Sequence, residues 1–138
     1  MVFDGHSDLL YDVTRRRLAG EKHVLERRHL RNLEAGGVEG LVLALWVSAD
    51  SFWKKVPEAT DHRARTEIML LCMKAELAEC PWLTMVRTPA EAEAARAAGK
   101  KYAFLAVEGM DAVGDDLEAI DRCAKRIVEK INQRVLGR

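Results

Sequence analysis

The sequence predicts an α/β fold with a parallel sheet, and two observations carry that prediction. Two segments, Val38 to Ser48 and Lys101 to Val107, are almost continuously apolar and show no alternation of apolar and polar residues. Strands that are covered on both faces have this pattern, and they occur mainly in parallel sheets. Segments with helical periodicity separate these strands, and strands that alternate with helices are typical of parallel α/β folds.

Length and composition exclude several classes of protein. The chain has 138 residues, the length of one small domain, and 49% of them are hydrophobic, which is enough for a buried core. Lys and Arg together number 22, as do Asp and Glu, so the charge balance gives no preference for nucleic acid or an anionic membrane. No apolar run approaches the ~20 residues of a membrane-spanning helix.

The N-terminus and the cysteines predict a cytoplasmic protein. Asp4 and His6 interrupt the N-terminus before the apolar region of a signal peptide can form. Cys72, Cys80 and Cys123 are scattered and odd in number, without the Cys-x-x-Cys spacing of a structural zinc site. We therefore expect buried, reduced thiols.

The first predicted strand begins at Val2 and ends in a cluster of polar residues. Asp4 to Leu9 reads Asp-Gly-His-Ser-Asp-Leu. Side chains two apart on an extended chain point the same way, so His6 and Asp8 can reach one ion together. An imidazole nitrogen and a carboxylate oxygen suit zinc and similar divalent metals. A hydrogen-bonded His–Asp pair is the commoner role of so short a motif.

The segment between the first two strands contains a basic run and a helix. The run Arg15 to Arg17 is interpreted as the solvated side of a loop or helix, with a phosphate-binding patch as the alternative. A helix is predicted from His29 to Ala35, because the glycines at 36 and 37 are typical of a helix end. His23 and His29 lie outside any ligand pattern, so we expect surface or capping roles for them.

A loop and a long helix follow the second strand. Phe52 and Trp53 lie in the predicted loop, where they either line a pocket mouth or pack against the next helix. The segment from Thr60 to Glu79 has helical spacing and predicts a well-covered helix. Its apolar stripe comprises Ala64, Ile68, Leu71, Cys72 and Ala75, widened by Met69, Met73 and Leu77.

Two further helices are predicted. After a short strand from Leu83 to Val86, Thr88 caps a helix that has proline at its first position and Glu91 three residues after the cap. A long amphipathic helix is predicted from Asp115 to about Leu136, and its apolar stripe must cover this chain's sheet or a partner.

Glu108 is a third candidate ligand. It directly follows the strand that ends at Val107, whereas His6 and Asp8 follow the first strand. In parallel α/β folds, active residues cluster at the carboxyl ends of the strands. An unpaired buried carboxylate costs several kcal/mol, so Glu108 requires a metal, a salt bridge or a helix N-terminus.

Three segments together resemble the renal (membrane) dipeptidase family, peptidase family M19. Asp4 to Leu9 is similar to the family's opening Asp-Gly-His-x-Asp-Leu. Leu30 to Val47 is similar to its second βα unit, and Phe104 to Gly109 with Gly114 to Leu117 is similar to its third strand and the following turn. The three motifs occur in the family's order and spacing, from about residue 2 to residue 122.

The resemblance implies a (β/α)8 barrel that hydrolyses dipeptides at a two-zinc centre. By position in the motifs, His6 and Asp8 match the ligands of one zinc, and Glu108 matches the carboxylate that bridges both. Asp4 is a candidate to position these ligands without binding the metal itself. The implied mechanism is hydrolysis by a metal-activated water.

The resemblance also implies parts that have no counterpart here. The family's second zinc needs two histidines from later strands, and a further histidine, an arginine and an acid complete the site. We therefore expect at most one weakly held zinc and little or no activity. One alternative is a non-catalytic α/β fragment with idle ligand residues. Another amidohydrolase-like hydrolase is the second, but its usual opening is His-x-His, and Asp8 argues against it.

We therefore expect a partial TIM-type (β/α)8 barrel of about three βα units, with residues 1–138 as one incomplete domain. Residues 1–122 are family-like, and residues 123–138 form a divergent helical tail. The three main strands should be parallel and ordered as in the sequence, with right-handed crossovers. The expected partner is a dipeptide substrate, and neither nucleic acid nor a membrane is expected.

Self-association is a further expectation. Sheet edges that are open, unlike those of a closed barrel, offer unpaired backbone groups to another chain. Positions on the interior face should also meet water, and exposed apolar patches favour association. Such positions include Val42, Ala44, Phe104 and Ala106.

Overall fold

The computed structural model describes residues 2–47, residues 51–109 and Glu118. Its elements are β1 (Val2–Ser7), α1 (Leu9–Leu18), a π-helix (Leu25–Leu30), α2 (Arg31–Ala35), β2 (Val38–Leu45), a 3-10 turn (Trp53–Lys55), α3 (His62–Ala78), β3 (Leu83–Met85), α4 (Pro89–Ala97) and β4 (Lys101–Val107). Helical segments separate the strands, as the sequence predicts. The predicted helix from Asp115 to Leu136 lies outside the described residues, apart from Glu118, and so does Cys123. No helix among the described residues has both the length and the apolar character needed to cross a membrane.

The four strands form one parallel sheet in the order β1-β2-β4-β3. This confirms the predicted parallel α/β sheet, and the three main strands, β1, β2 and β4, lie side by side in sequence order. β2 and β4 pair without a register shift, from Gly40 opposite Tyr102 to Leu45 opposite Val107. The strands therefore all end on the same side, which we call the carboxyl end of the sheet.

One face of the sheet is covered by helices. Alternate residues of a strand point to the same side, and Leu41, Leu43 and Leu45 of β2 are almost fully buried there. Burying each leucine stabilises the fold by about 1.5–3 kcal/mol, because its apolar surface leaves water. The helix residues in this cluster include Leu10 and Val13 of α1 and Met69 and Met73 of α3. We call this side the helix-covered face.

The opposite side, which we call the inner face, carries aromatic rings. Phe3 is paired with Gly40 of β2, and Gly40 is paired with Tyr102 of β4. The rings of Phe3 and Tyr102 stack with their centroids 6.1 Å apart. A Cβ atom at Gly40 would overlap the Tyr102 ring, so this close approach of ring and backbone requires glycine.

α4 lies on the inner face, opposite to α1 and α3. Ala92 and Ala95 pack with Val86 and Tyr102 in a second apolar cluster. β3 lies beyond β4, so the connection from β3 to β4 crosses the sheet in the opposite direction to that from β1 to β2. Because crossovers are right-handed, a reversed connection places its helix on the other face. α4 therefore covers the inner face near the start of β4, and it leaves the carboxyl end open.

α3 confirms the predicted long helix but not its predicted buried stripe. The buried positions are Thr66, Met69, Met73 and Glu76, whereas Leu71 is 65% exposed. The buried face includes Glu76, which an apolar pattern omits and which pairs with Arg17, so it differs from the predicted stripe.

Several smaller predictions were wrong or incomplete. Helical structure begins before His29, in the π-helix. For Trp53 the packing alternative is confirmed, because it is 1% exposed and lies in the same core cluster as Met69 and Met73 of α3. Ala44 is also 1% exposed, contrary to the expectation that it meets water. β2 has a neighbouring strand on both sides, so a side chain as short as a methyl group stays close to the sheet and out of contact with water.

α4 begins as the sequence predicts. Thr88 Oγ1 accepts the backbone N–H of Glu91 at 3.2 Å, and Pro89 takes the first helical position. Glu91 Oε2 accepts the N–H of Arg87 at 2.6 Å, so the reciprocal bond of the cap falls one residue before the threonine. The chain leaves the helix through Gly99, whose φ of 68° lies in the left-handed region that favours glycine.

Candidate metal centre

A β-bulge in β1 determines where His6 points. Asp4 lies opposite Leu41 and Ser7 lies opposite Leu43, so three steps along β1 match two steps along β2. Both leucines are on the helix-covered face, so Asp4 and Ser7 are on that side as well. Strict alternation from Asp4 would place His6 there and Ser7 on the inner face. The extra residue reverses this, and Ser7 is buried while His6 is exposed.

Asp8 follows β1 at the N-cap position of α1. Its side chain makes no capping hydrogen bond to the helix, although a carboxylate in this position usually does. Asp8 Oδ1 lies instead 3.5 Å from His6 Nε2. The structure thus brings the two side chains together across the turn into α1, not along a regular strand.

Glu108 directly follows β4. Its backbone N–H donates to the carbonyl oxygen of Leu45 at 3.1 Å, which fixes it beside the end of β2. Gly109 has a φ of 73°, a conformation that favours glycine. Glu108 Oε2 lies 3.1 Å from His6 Nε2.

His6, Asp8 and Glu108 form a cluster that we call the ligand triad. One ligand atom of each lies within 4.8 Å of the others, and all three residues are exposed. Among the described residues, His6 is the only ion-pair partner of either carboxylate. Two carboxylates this close repel each other, and a divalent cation would relieve that repulsion. One imidazole nitrogen and two carboxylate oxygens fit a zinc ion that keeps an open fourth position.

The remaining predicted or possible site residues lie outside the triad. Asp4 Oδ1 accepts the backbone N–H of His6 at 3.1 Å, so it contacts a ligand residue without joining the cluster. His29 Nε2 lies 2.8 Å from an oxygen of Asp12. His23 lies 3.4 Å from a carboxylate on the π-helix. Within the described ranges, no second group of His, Cys, Asp and Glu side chains has the spacing of metal ligands.

The three arginines at 15–17 do not form one basic patch. The guanidinium of Arg15 lies over the rings of Tyr11 and Phe52, 5.5 and 5.4 Å from their centroids. Arg16 pairs with a carboxylate one turn earlier on the same helix. Arg17 turns towards the core, where its side chain is 12% exposed. The three side chains leave the helix in different directions, so the phosphate-patch alternative is wrong.

Sequence reasoning missed a second cluster, in which Arg17 contacts both Glu76 and Glu79. We call the two glutamates the acid pair. Arg17 Nη1 donates to Glu76 Oε2 at 2.6 Å and to Glu79 Oε2 at 2.8 Å. Glu76 also accepts the N–H of Leu25 at 2.7 Å, and Glu79 accepts that of His23 at 2.9 Å. The hydrogen bond from Arg17 lowers the pKa of Glu79 to about 2, and both carboxylates raise the pKa of the guanidinium.

One signal in the sequence could have indicated the acid pair. Glu76 and Glu79 are three residues apart on a predicted helix, so they lie on the same face. Their face also carries Met69 and Met73, which the apolar pattern assigns to the core. A glutamate on a buried face requires a cation, and the identity of that cation depends on tertiary packing.

Comparison with known proteins gives the family. A profile of the membrane dipeptidase family, peptidase family M19, matches residues 1–131. A search of curated proteins finds no significant match. The chain therefore belongs to peptidase family M19.

Two solved structures share the fold. One is the crystal structure of the dipeptidase AC, a metallopeptidase of family M19, with a TM-score of 0.63, 21% identity and coverage of 90% of this chain and 41% of that chain. The other is a metallopeptidase from Rhodobacter sphaeroides liganded with a phosphinate mimic of the dipeptide L-Ala-D-Ala, with a TM-score of 0.63, 20% identity and coverage of 90% and 42%. At these identities the likeness shows the fold alone, and it confirms the predicted partial TIM-type barrel. This chain spans less than half the length of either structure.

Proposed function

We propose that this chain supplies metal ligands of a zinc-dependent dipeptidase through His6, Asp8 and Glu108. The observation that carries the proposal is the ligand triad at the carboxyl end of the sheet, in a chain that belongs to a dipeptidase family. Barrel enzymes place their active residues at that end. A zinc ion there would supply a Lewis acid and an activated water for the hydrolysis of an amide bond.

Each member of the triad has its own part in this proposal. His6 binds through Nε2, the atom that faces both carboxylates, so that nitrogen must be unprotonated when metal is bound. Asp8 offers Oδ1, which no capping bond occupies. Glu108 offers Oε2 and, through its other oxygen, a ligand for a second ion, as the bridging carboxylate of the family does.

The proposal includes at most one zinc and little or no activity for the chain as given. A second ion would receive only Glu108 and water from the described residues. Of the other described histidines, His23 precedes the π-helix, His29 lies on it and His62 begins α3, and none of them joins the triad. Residues 1–122 as the family-like part and residues 123–138 as a divergent tail remain predictions.

The proposed substrate class is a dipeptide. One structure that shares the fold carries a phosphinate mimic of L-Ala-D-Ala, which makes this dipeptide a suitable probe. The formal net charge of zero favours neither nucleic acid nor a membrane surface as a partner, and neither is part of the proposal.

Zinc content tests the metal centre. The chain is saturated with zinc and dialysed, and elemental analysis should find up to one equivalent, which His6→Ala should lose. His62→Ala, which removes a histidine of α3, is the matched control and should retain the zinc. Hydrolysis of L-Ala-D-Ala, measured on the same samples, should be slow or absent.

Each other result has a definite meaning. A wild-type chain without zinc would support the alternative of idle ligand residues. Two tightly held zinc ions in a monomer would contradict the one-zinc proposal. Rapid hydrolysis of L-Ala-D-Ala that disappears in His6→Ala would contradict the proposed lack of activity while supporting the metal site.

We also propose that the chain self-associates. Phe3 of β1 is 47% exposed, and Leu105 and Val107 of β4 are 40% and 55% exposed. β1 is an edge strand of the described sheet, and Leu105 and Val107 lie on the part of β4 that extends beyond its pairing with β3. Apolar side chains at open edges of a sheet favour association with another copy. Sizing chromatography with light scattering should find oligomers or aggregates. A soluble monomer with a cooperative unfolding transition would contradict this.

We also propose that the protein is cytoplasmic. Cys72 and Cys80 are free thiols, and Cys80 is buried, as the prediction of reduced cysteines requires. Fractionation of cells should find the protein with cytoplasmic markers, and its recovery from a secreted fraction would contradict the location.

A further inference from the structure

We infer that Asp4 is a positioning residue: its carboxylate holds the β-bulge that brings His6 into the ligand triad. The inference rests on the proposed function, because it concerns how one proposed ligand is held. Asp4 itself is directed away from the triad, on the helix-covered face opposite Leu41.

The contact that carries the inference lies inside the bulge. His6 donates its backbone N–H to Asp4 Oδ1 at 3.1 Å. The bulge lies between Asp4 and Ser7, so the bond spans the residues where β1 and β2 lose their register. A residue inserted into a strand leaves the regular ladder, and its backbone groups then need other partners. Asp4 provides such a partner from within the same strand.

The bulge matters because it decides which face His6 occupies. In a regular register, the alternation that puts Asp4 on the helix-covered face would put His6 there too. The imidazole would then point away from Glu108, whose oxygen is now 3.1 Å from Nε2. A regular register would also give the His6 N–H a partner in the ladder. Removal of the Asp4 acceptor therefore favours the conformation in which the triad is broken.

An acceptor oxygen at this position, more than a negative charge, is what the geometry requires. Asp4→Asn keeps an oxygen that can accept the N–H of His6, whereas Asp4→Ala removes it. Asp4→Ser places a hydroxyl there, which makes the same local bond more weakly. Metal affinity should therefore fall in the order wild type, Asn, Ser, Ala.

Cobalt(II) titration tests this order, because the absorption of the bound ion reports both affinity and ligand geometry. Asp4→Ala should bind cobalt about 10–100-fold more weakly than wild type, as expected when a ligand loses the group that orients it. Asp4→Asn should stay close to wild type in affinity and in spectrum. The metal-free proteins are compared by NMR of the histidine rings, where Asp4→Ala should shift the resonances of His6 and not those of His29.

Asp61→Ala is the matched control. Asp61 Oδ1 accepts the N–H of Ala64 at 2.8 Å at the start of α3, so the variant removes the same kind of bond far from the triad. Loss of such a cap destabilises a protein by about 0.5–2 kcal/mol. Cobalt affinity should nevertheless stay at the wild-type value, which separates positioning from general stability.

The outcomes are distinguishable. Wild-type affinity in Asp4→Ala would overturn the positioning role and leave the metal centre intact. Equal weakness of Asp4→Asn and Asp4→Ala would also overturn it, because the charge would then matter and not the acceptor. If Asp4→Ala does not fold, wild-type affinity in Asp4→Ser overturns the role and reduced affinity supports it. Failure of the wild type to bind cobalt would overturn the proposed metal centre, and the role of Asp4 with it.

Discussion

Carboxylates lie near both ends of α1, and the two sets differ in burial and in hydrogen-bond partners. At its start, Asp8 and Glu108 are exposed, and among the described residues their only ion-pair partner is His6. At its other end, Glu76 is fully buried and shares Arg17 with a second carboxylate. Backbone N–H groups of Leu25 and His23 also donate to the acid pair.

This difference separates a structural cluster from a candidate ligand cluster. Burial and a perturbed pKa are the usual signs of a functional carboxylate. Glu76 is buried, and the pKa of Glu79 is lowered. The hydrogen-bond donors around each cluster nevertheless indicate that the acid pair is structural and that the ligand triad is the candidate site. A carboxylate whose oxygens are already filled by arginine and N–H groups stabilises the fold, whereas carboxylates that share one imidazole can still take a cation.

The largest expected effect is at the buried end. Arg17→Met keeps an aliphatic side chain but leaves Glu76 buried without its counter-charge. Removal of one partner of a buried ion pair destabilises a protein by about 3–5 kcal/mol. Urea denaturation of wild type and variant should show this loss. Both are measured at one protein concentration, because self-association makes stability depend on concentration.

A double variant shows whether charge is the cause. Glu76→Gln keeps an oxygen for the N–H of Leu25 but removes the negative charge. In the Arg17→Met background it should therefore recover much of the lost free energy of unfolding. If the double variant is as unstable as the single one, the packing of the arginine side chain holds this end of α1, and the comparison with the triad fails.

The second largest effect is the response to zinc. At about 100 times its dissociation constant, a ligand stabilises the folded state by about 2.7 kcal/mol. Glu108→Gln should lose this gain, yet change metal-free stability by no more than about 0.5 kcal/mol, because the side chain is exposed. Arg17→Met should keep the gain, since distant sites act additively. Urea denaturation with and without zinc measures both, and a gain retained in Glu108→Gln would place the ion elsewhere.

Much of the fold could be predicted because its signals are local. The apolar runs of β2 and β4 and the Thr88 start of α4 each lie within a few residues. The position of β3 at the edge and of α4 on the inner face could not be predicted, since strand order depends on pairing between distant segments. Once β3 lies beyond β4, the handedness of the crossover places α4.

For the candidate site, too, local features could be predicted and features that depend on distant segments could not. His6 and Asp8 were singled out by spacing, and Glu108 by its place after a strand. The bulge that turns His6 was beyond prediction, because it exists only relative to the register of β2. The contact between Arg17 and Glu76 joins residues 59 apart in the sequence, and no local pattern links them.

Acid should weaken the buried end through a smaller, pH-dependent effect. The hydrogen bond from Arg17, followed by that from the His23 N–H, lowers the pKa of Glu79 from 4.5 to about 2. The unfolded chain therefore binds the proton more readily, so the contribution of Glu79 is present above pH 4.5 and is lost as the pH falls towards 2. The difference in unfolding free energy between wild type and Glu79→Gln should shrink over this range. A difference that stays constant down to pH 2 would contradict the assignment.

The smallest expected effect is a change in the rate at which Cys80 is labelled. Its Sγ lies 3.8 Å from Glu76 Oε1. Burial raises the pKa of this thiol to about 12, and the charge of Glu76 adds to the shift. Since the thiolate is the reactive form, iodoacetamide at pH ~8 should leave Cys80 unlabelled in the native protein. Arg17→Met should expose it to labelling by loosening this end of α1, whereas Glu108→Gln acts at the other end and should not. Peptide mass spectrometry measures both rates. Labelling of Cys80 in both variants would show that the two ends of α1 are coupled. Absence of labelling in Arg17→Met would contradict the loosening of this end.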